Sequence, residues 1–267
     1  MERTMKHLLL VSGNSFGVIA TIVINALAVI LPLNGKSTSQ LSDAIPNLFV
    51  PAGITFSIWS IIYIFLIVFM VYQIIELSKK EKAELMTIYK IGGWFMLASL
   101  ANVVWIFLWH YEYVSFSLLA MLLLLISLLI IYLKLNIGLS KVSMREKLAV
   151  HVAISIYLGW ISVATIANVT AVLVKANVGG LLLGETTWTI LVIAVAAFLT
   201  ILMLVIRKDI AYSFVIIWAL LGIIIKRLGN DPIYGVRTNI AIATAVAILV
   251  IIVVTLVKTV PAIYKKS

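Results

Sequence analysis

Apolar runs of about twenty residues recur along the whole chain, and each is long enough to cross a bilayer core of about 30 Å as a helix. Eight such runs can be counted: 8–33, 52–76, 91–109, 114–138, 148–174, 187–206, 210–225 and 238–260. Hydrophobic residues make up 64% of the 267 positions and charged ones 11%. That balance excludes a soluble globular domain. The expected fold is therefore all-α, a polytopic membrane bundle of about eight helices. The opening MERTMKH leads into an apolar run with no A-x-A cleavage pattern, and it reads as a retained first helix. The seventh run is short for an upright span.

Charge placement orients the bundle. With the N-terminus inside, the inner segments hold fifteen basic residues, among them Lys79, Lys80, Lys82, Arg145, Arg207, Lys265 and Lys266. The outer segments hold five: Lys36, Lys175, Lys226, Arg227 and Arg237. Both termini are therefore expected in the cytoplasm, with the plasma membrane as the location. The same distribution accounts for the net charge of +10 without nucleic acid.

Chemistry is restricted by what the spans lack. There is no cysteine, hence no disulfide, thiol nucleophile or iron–sulfur ligation. All ten acidic residues, Asp209 and Asp231 included, fall in connections or at span ends, and no Lys or Arg sits mid-span. Ion-coupled transport usually needs an ionisable group at membrane depth. His7, His110 and His151 lie near span ends without metal-ligand spacing. With no buried carboxylate expected, no acid, base or nucleophile presents itself, and the chain reads as a non-enzyme with no required cofactor.

What remains are neutral polar and aromatic stripes. The first span carries Asn14, Thr21 and Asn25; the second Phe56, Trp59 and Tyr63; the third Ser99, Asn102, Trp105 and Trp109. In the fifth, Tyr157, Trp160, Ala164 and Asn168 share one helical face. Such stripes serve helix–helix hydrogen bonding, at about 0.6 kcal/mol per contact, or line a cavity. Trp94, Trp109 and Trp188 at span ends read as interfacial belt residues. Trp59, Trp105 and Trp160 instead converge in the outer half, beneath the long connection 34–51, where an apolar pocket with polar anchors suits a flat ligand. The fourth span, almost pure Leu and Ile, reads as lipid-facing. Gly92–Gly93 and Gly179–Gly180 could support helix association, including a homodimer.

Three of these stripes resemble the TspO family of tryptophan-rich sensory and translocator proteins. The segment Tyr157-x-x-Trp160-x-Ser162-x-Ala164-Thr165-x-x-Asn168 is similar to that family's fifth-helix pattern. Leu100, Asn102 and Trp105 resemble its third-helix L-x-N-x-x-W, and Trp59-Ser-Ile-Ile-Tyr63 its second-helix W-T-x-L-Y. The entrance PAGITFSI lacks that family's first Trp and its Gly-Pro. The resemblance covers 8–174 and implies a five-helix ligand-binding unit over 1–174, followed by three further helices over 175–267. It implies a cavity beside the first connection, lined by Trp59, Tyr63, Asn102, Trp105, Trp160, Ala164 and Asn168. The implied ligand is porphyrin-like, sterol-like or a related hydrophobic small molecule. Trp59 and Trp160 match the pair associated in some members with light-dependent porphyrin degradation. The reading is a membrane receptor or sensor; the alternative is a transporter or facilitator of the same ligand. On the first reading Asn168→Leu weakens binding and leaves the fold intact.

Overall fold

The computed structural model describes residues 2–78, 85–178, 184–229, 233 and 235–264. Lys79, Lys80, Lys82, Gly179, Gly180, Asp231, Lys265 and Lys266 lie outside the described residues. Among the described residues, eight long helices cover the expected spans: α1 (Glu2–Ile30), α2 (Ile58–Ser78), α3 (Trp94–His110), α4 (Val114–Lys134), α5 (Ala153–Lys175), α6 (Gly184–Leu202), α7 (Ile210–Leu228) and α8 (Thr238–Tyr264). Seven of the segments are long and apolar enough to cross a membrane, and α3 is a shorter apolar helix of 17 residues. The seventh span is fuller than expected, at 19 residues. Asp209 starts it by accepting the Tyr212 N–H at 3.0 Å, which satisfies one of the free donors of a helix N-terminus.

The first five helices close a ring, each packed on two others in the order α1, α3, α4, α5, α2. Helices α6, α7 and α8 form a triangle that meets the ring chiefly where α7 packs on α5. Gly159 is at that crossing: a side chain there would press on Val215 and the Tyr212 carbonyl. With partners on both sides, α5 lies in the most buried span, 78% against 28% for the span of α2.

Three expectations need correction. Helix α4 does not simply face lipid, since Ser117, Ala120, Met121, Leu124, Ser127, Leu128 and Ile131 form a buried face against α3 and α5. Small residues along that face allow close approach. Carboxylates are buried after all. Asp209 is only 5% exposed and Glu76 only 2%. Asp209 is kept there by three donors, since Tyr132 Oη (2.9 Å) and Ser155 Oγ (2.6 Å) join the Tyr212 amide. A buried charge needs such pairing. Finally, Arg227, assigned to an outer connection, is in the last turn of α7 and fully buried.

The polar stripe of α1 points inward as expected, with Asn14, Thr21 and Asn25 all buried. Asn14 donates to Gln73 Oε1 at 2.8 Å and Asn25 to Asn102 Oδ1 at 2.7 Å, which ties α1 to α2 and to α3.

Candidate ligand cavity

The long connection is a folded cap. Asn34 and Gly35 take left-handed backbone (φ 56° and 74°) and turn the chain out of α1, a conformation open to Asn and Gly at little cost. Ser37 then begins the short helix Thr38–Asp43 with a capping box. Its Oγ accepts the Gln40 N–H, while Gln40 Oε1 accepts the Ser37 N–H.

Tertiary ties hold this cap over the ring. Asn34 donates to the His110 carbonyl at 3.0 Å, and Lys36 pairs with Glu112 at 3.0 Å. Trp109 Nε1 donates to the Thr38 carbonyl at 3.4 Å. Farther along, Asn47 donates to Thr170 Oγ1 of α5 at 2.5 Å. Asp43 forms an ion pair with Lys226 of α7. The Ala52 N–H reaches the Gly222 carbonyl at 2.9 Å, and Trp218 Nε1 reaches the Thr55 carbonyl at 2.9 Å. Helix α7 thus braces the entrance to α2.

Beneath the cap is a cavity walled by Trp59, Trp105, Trp109, Trp160, Ala164 and Asn168, with Asn47, Val50 and Pro51 above. Trp59 and Trp160 meet edge to face, with centroids 6.2 Å apart and planes at 80°. Trp105 and Trp109 stack at 6.0 Å and 19°. Asn168 is a hub: its Oδ1 accepts from Trp105 Nε1 at 3.1 Å, and its amide donates to Ser117 Oγ at 3.2 Å. The space open to a water-sized molecule is only about 40 Å³. A flat polycyclic ligand therefore needs the cap to lift.

Of the seven expected residues, Trp59, Trp105, Trp160, Ala164 and Asn168 line this space. Tyr63 stacks on Trp59 (5.7 Å), and Asn102 is bonded to Asn25. Neither of these two contributes to the wall. Trp109, read as a belt residue, is buried at 6% exposure, because the cap folds over the end of α3. The cap residues were absent from the expected set; only the S-x-x-Q capping signal at Ser37–Gln40 marked that connection as structured. The Asp209 cluster is not part of this cavity. Its contact on α5 is Ser155, thirteen residues from Asn168, or roughly 20 Å along the helix.

Among the described residues, eight apolar helices with an aromatic cavity beneath a stitched cap define a polytopic helical membrane protein. The chain belongs to the TSPO-like family: the family model described as TSPO-like protein matches residues 10–257. The match runs through α6, α7 and most of α8, farther than the 8–174 over which the motifs carry the resemblance. No curated protein and no solved structure matches the chain.

Proposed function

We propose that this chain is a membrane receptor or sensor for a flat hydrophobic molecule, porphyrin-like or sterol-like, bound beneath the cap. The plasma membrane and cytoplasmic termini complete the reading, on the strength of the charge asymmetry. The observation that carries it is Trp160 Nε1, a buried indole N–H with no hydrogen-bond partner among the described residues, on a residue that lines a mostly apolar cavity. A buried donor without an acceptor costs roughly 1–3 kcal/mol. A ligand carbonyl or carboxylate would recover that cost, while ring faces bury against Trp59 and Trp105. Because the free space is only about 40 Å³, occupancy by a flat ligand displaces the cap and so changes the surface above it. That coupling suits a sensor.

The test is a tryptophan-quenching titration of the purified protein with protoporphyrin IX, beside a variant carrying both Trp59→Phe and Trp160→Phe. Saturable quenching in the wild type, with at least tenfold weaker affinity in the variant (about 1.4 kcal/mol), is the expected result. Equal affinities, or no saturable binding to either, would remove the reading.

A further inference from the structure

A second and larger space lies where the ring meets the triangle. Helices α5 and α6 are consecutive, yet α6 packs on α7 and α8 instead of on α5. The wedge left between them holds about 470 Å³, floored by Pro46 and walled by Val169, Leu173, Val192 and Val195. Val169, Leu173 and Val195 are each at least one-third exposed, so the wedge is open on its bilayer side. Nothing aqueous is stable against such a lining, and an unfilled gap forfeits the dispersion contacts of every wall atom.

Dimensions and charge name the occupant. From Glu185 to Val195 the wedge follows α6 for ten residues, about 15 Å, or half of a hydrocarbon core of about 30 Å. That is the depth of one leaflet. At its mouth Glu185 and Trp188 stand three residues apart on one helical face. Among the described residues, Glu185 is the one charged side chain of the lining. A carboxylate beside an exposed indole attracts an ammonium group by ion pairing and cation–π contact, and repels an anionic head.

We propose that the wedge between α5 and α6 binds a bilayer phospholipid with an ammonium headgroup, one acyl chain in the wedge and the head at Glu185 and Trp188. The site is independent of the cavity reading, although Asn47 borders both spaces.

Native mass spectrometry of the full-length protein tests it, after stripping of loosely held lipid and re-addition of phosphatidylethanolamine or phosphatidylglycerol with identical chains. The wild type should retain one phosphatidylethanolamine, preferred over phosphatidylglycerol by about fivefold, the scale of an exposed ion pair. Glu185→Gln should keep a lipid and lose the preference. Val169→Trp and Val192→Trp, which fill the wedge from opposite walls, should each abolish retention while keeping wild-type helicity by circular dichroism. Equal retention of the two lipids by the wild type overturns the proposal. So does wild-type retention by either filled variant, or an unchanged preference in Glu185→Gln.

Discussion

Asn168 offers a quantitative test of how the cavity wall is held together. Leucine at 168 keeps the branching of asparagine at Cγ and carries none of its polar atoms. Ser117 survives the change, because its hydroxyl also donates to the Val114 carbonyl at 2.8 Å. Trp105 does not, since its indole N–H loses the acceptor at 3.1 Å and stays buried at 5% exposure. The stranded donor costs about 1–3 kcal/mol, and the lost α4–α5 hydrogen bond adds about 0.6 kcal/mol. Asn168→Leu should therefore destabilise the protein by about 2–3 kcal/mol, so this change does not leave the fold untouched. Trp105→Phe removes the donor itself and forfeits part of the stacking on Trp109. In the double variant no donor is stranded, and the combined loss should fall short of the sum by about 1–2 kcal/mol. Equilibrium unfolding in mixed detergent micelles, followed by far-ultraviolet circular dichroism, measures all four corners of the cycle. Additivity within about 0.4 kcal/mol would refute the reasoning, as would an Asn168→Leu variant as stable as the wild type.

Asp209→Ala strands the Tyr132 hydroxyl and uncaps α7, and should cost about 2–4 kcal/mol in the same unfolding assay; a loss below about 0.5 kcal/mol would show that the cluster holds nothing. The hydrogen bond and charge of Lys36 hold the Glu112 carboxyl below the usual carboxylate range. A folded pKa below the unfolded one means the cap tie is fully present above about 4.5 and is lost as the pH falls through the lowered folded value. Protection factors of the amides over 37–43, corrected for the intrinsic exchange rate at each pH, should then fall at low pH in the wild type, and should be lowered already at neutral pH in Glu112→Gln. Gly222→Ala drives a methyl into Thr55 and Pro51; overpacking of this kind costs about 1–3 kcal/mol, with faster amide exchange at 52–57 as the accompanying sign.

Much of the bundle was legible because period and length are local properties. Asn14, Thr21 and Asn25 at heptad-like spacing were enough to orient α1, and the Tyr157–Asn168 pattern was enough to orient α5. The role of α4 was not legible in the same way. Leu and Ile satisfy lipid and protein neighbours equally well, so hydrophobicity carries no directional signal inside a membrane. Only the small residues Ser117, Ala120 and Ser127, each buried, distinguish its packed face. Position along a span also misled for Trp109, since a cap that folds over a helix end turns an interfacial site into an interior one. Asp209 follows the same logic: a residue between two helices reads as solvated until Tyr132 and Ser155, 77 and 54 positions away, arrive as donors. For the cavity, the helical walls were readable, whereas the ceiling contributed by Asn47, Val50 and Pro51 depends on contacts with α5 and α7 that no local pattern encodes.

The bond from Ala52 to Gly222 and the reach of Trp218 to Thr55 make the ring's entrance a shared possession of both ends of the chain. A version ending before α6 would take the Gly222 acceptor from the Ala52 N–H and leave the Thr55 carbonyl with the Ile58 N–H but without Trp218, and a buried donor without an acceptor costs about 1–3 kcal/mol. The five-helix ring is therefore not a cassette that can be lifted out or grafted elsewhere. Changes at 52–55 and at 218–222 must drift in step, and a chimera joining this ring to a foreign triangle would keep its aromatic walls and lose its doorway.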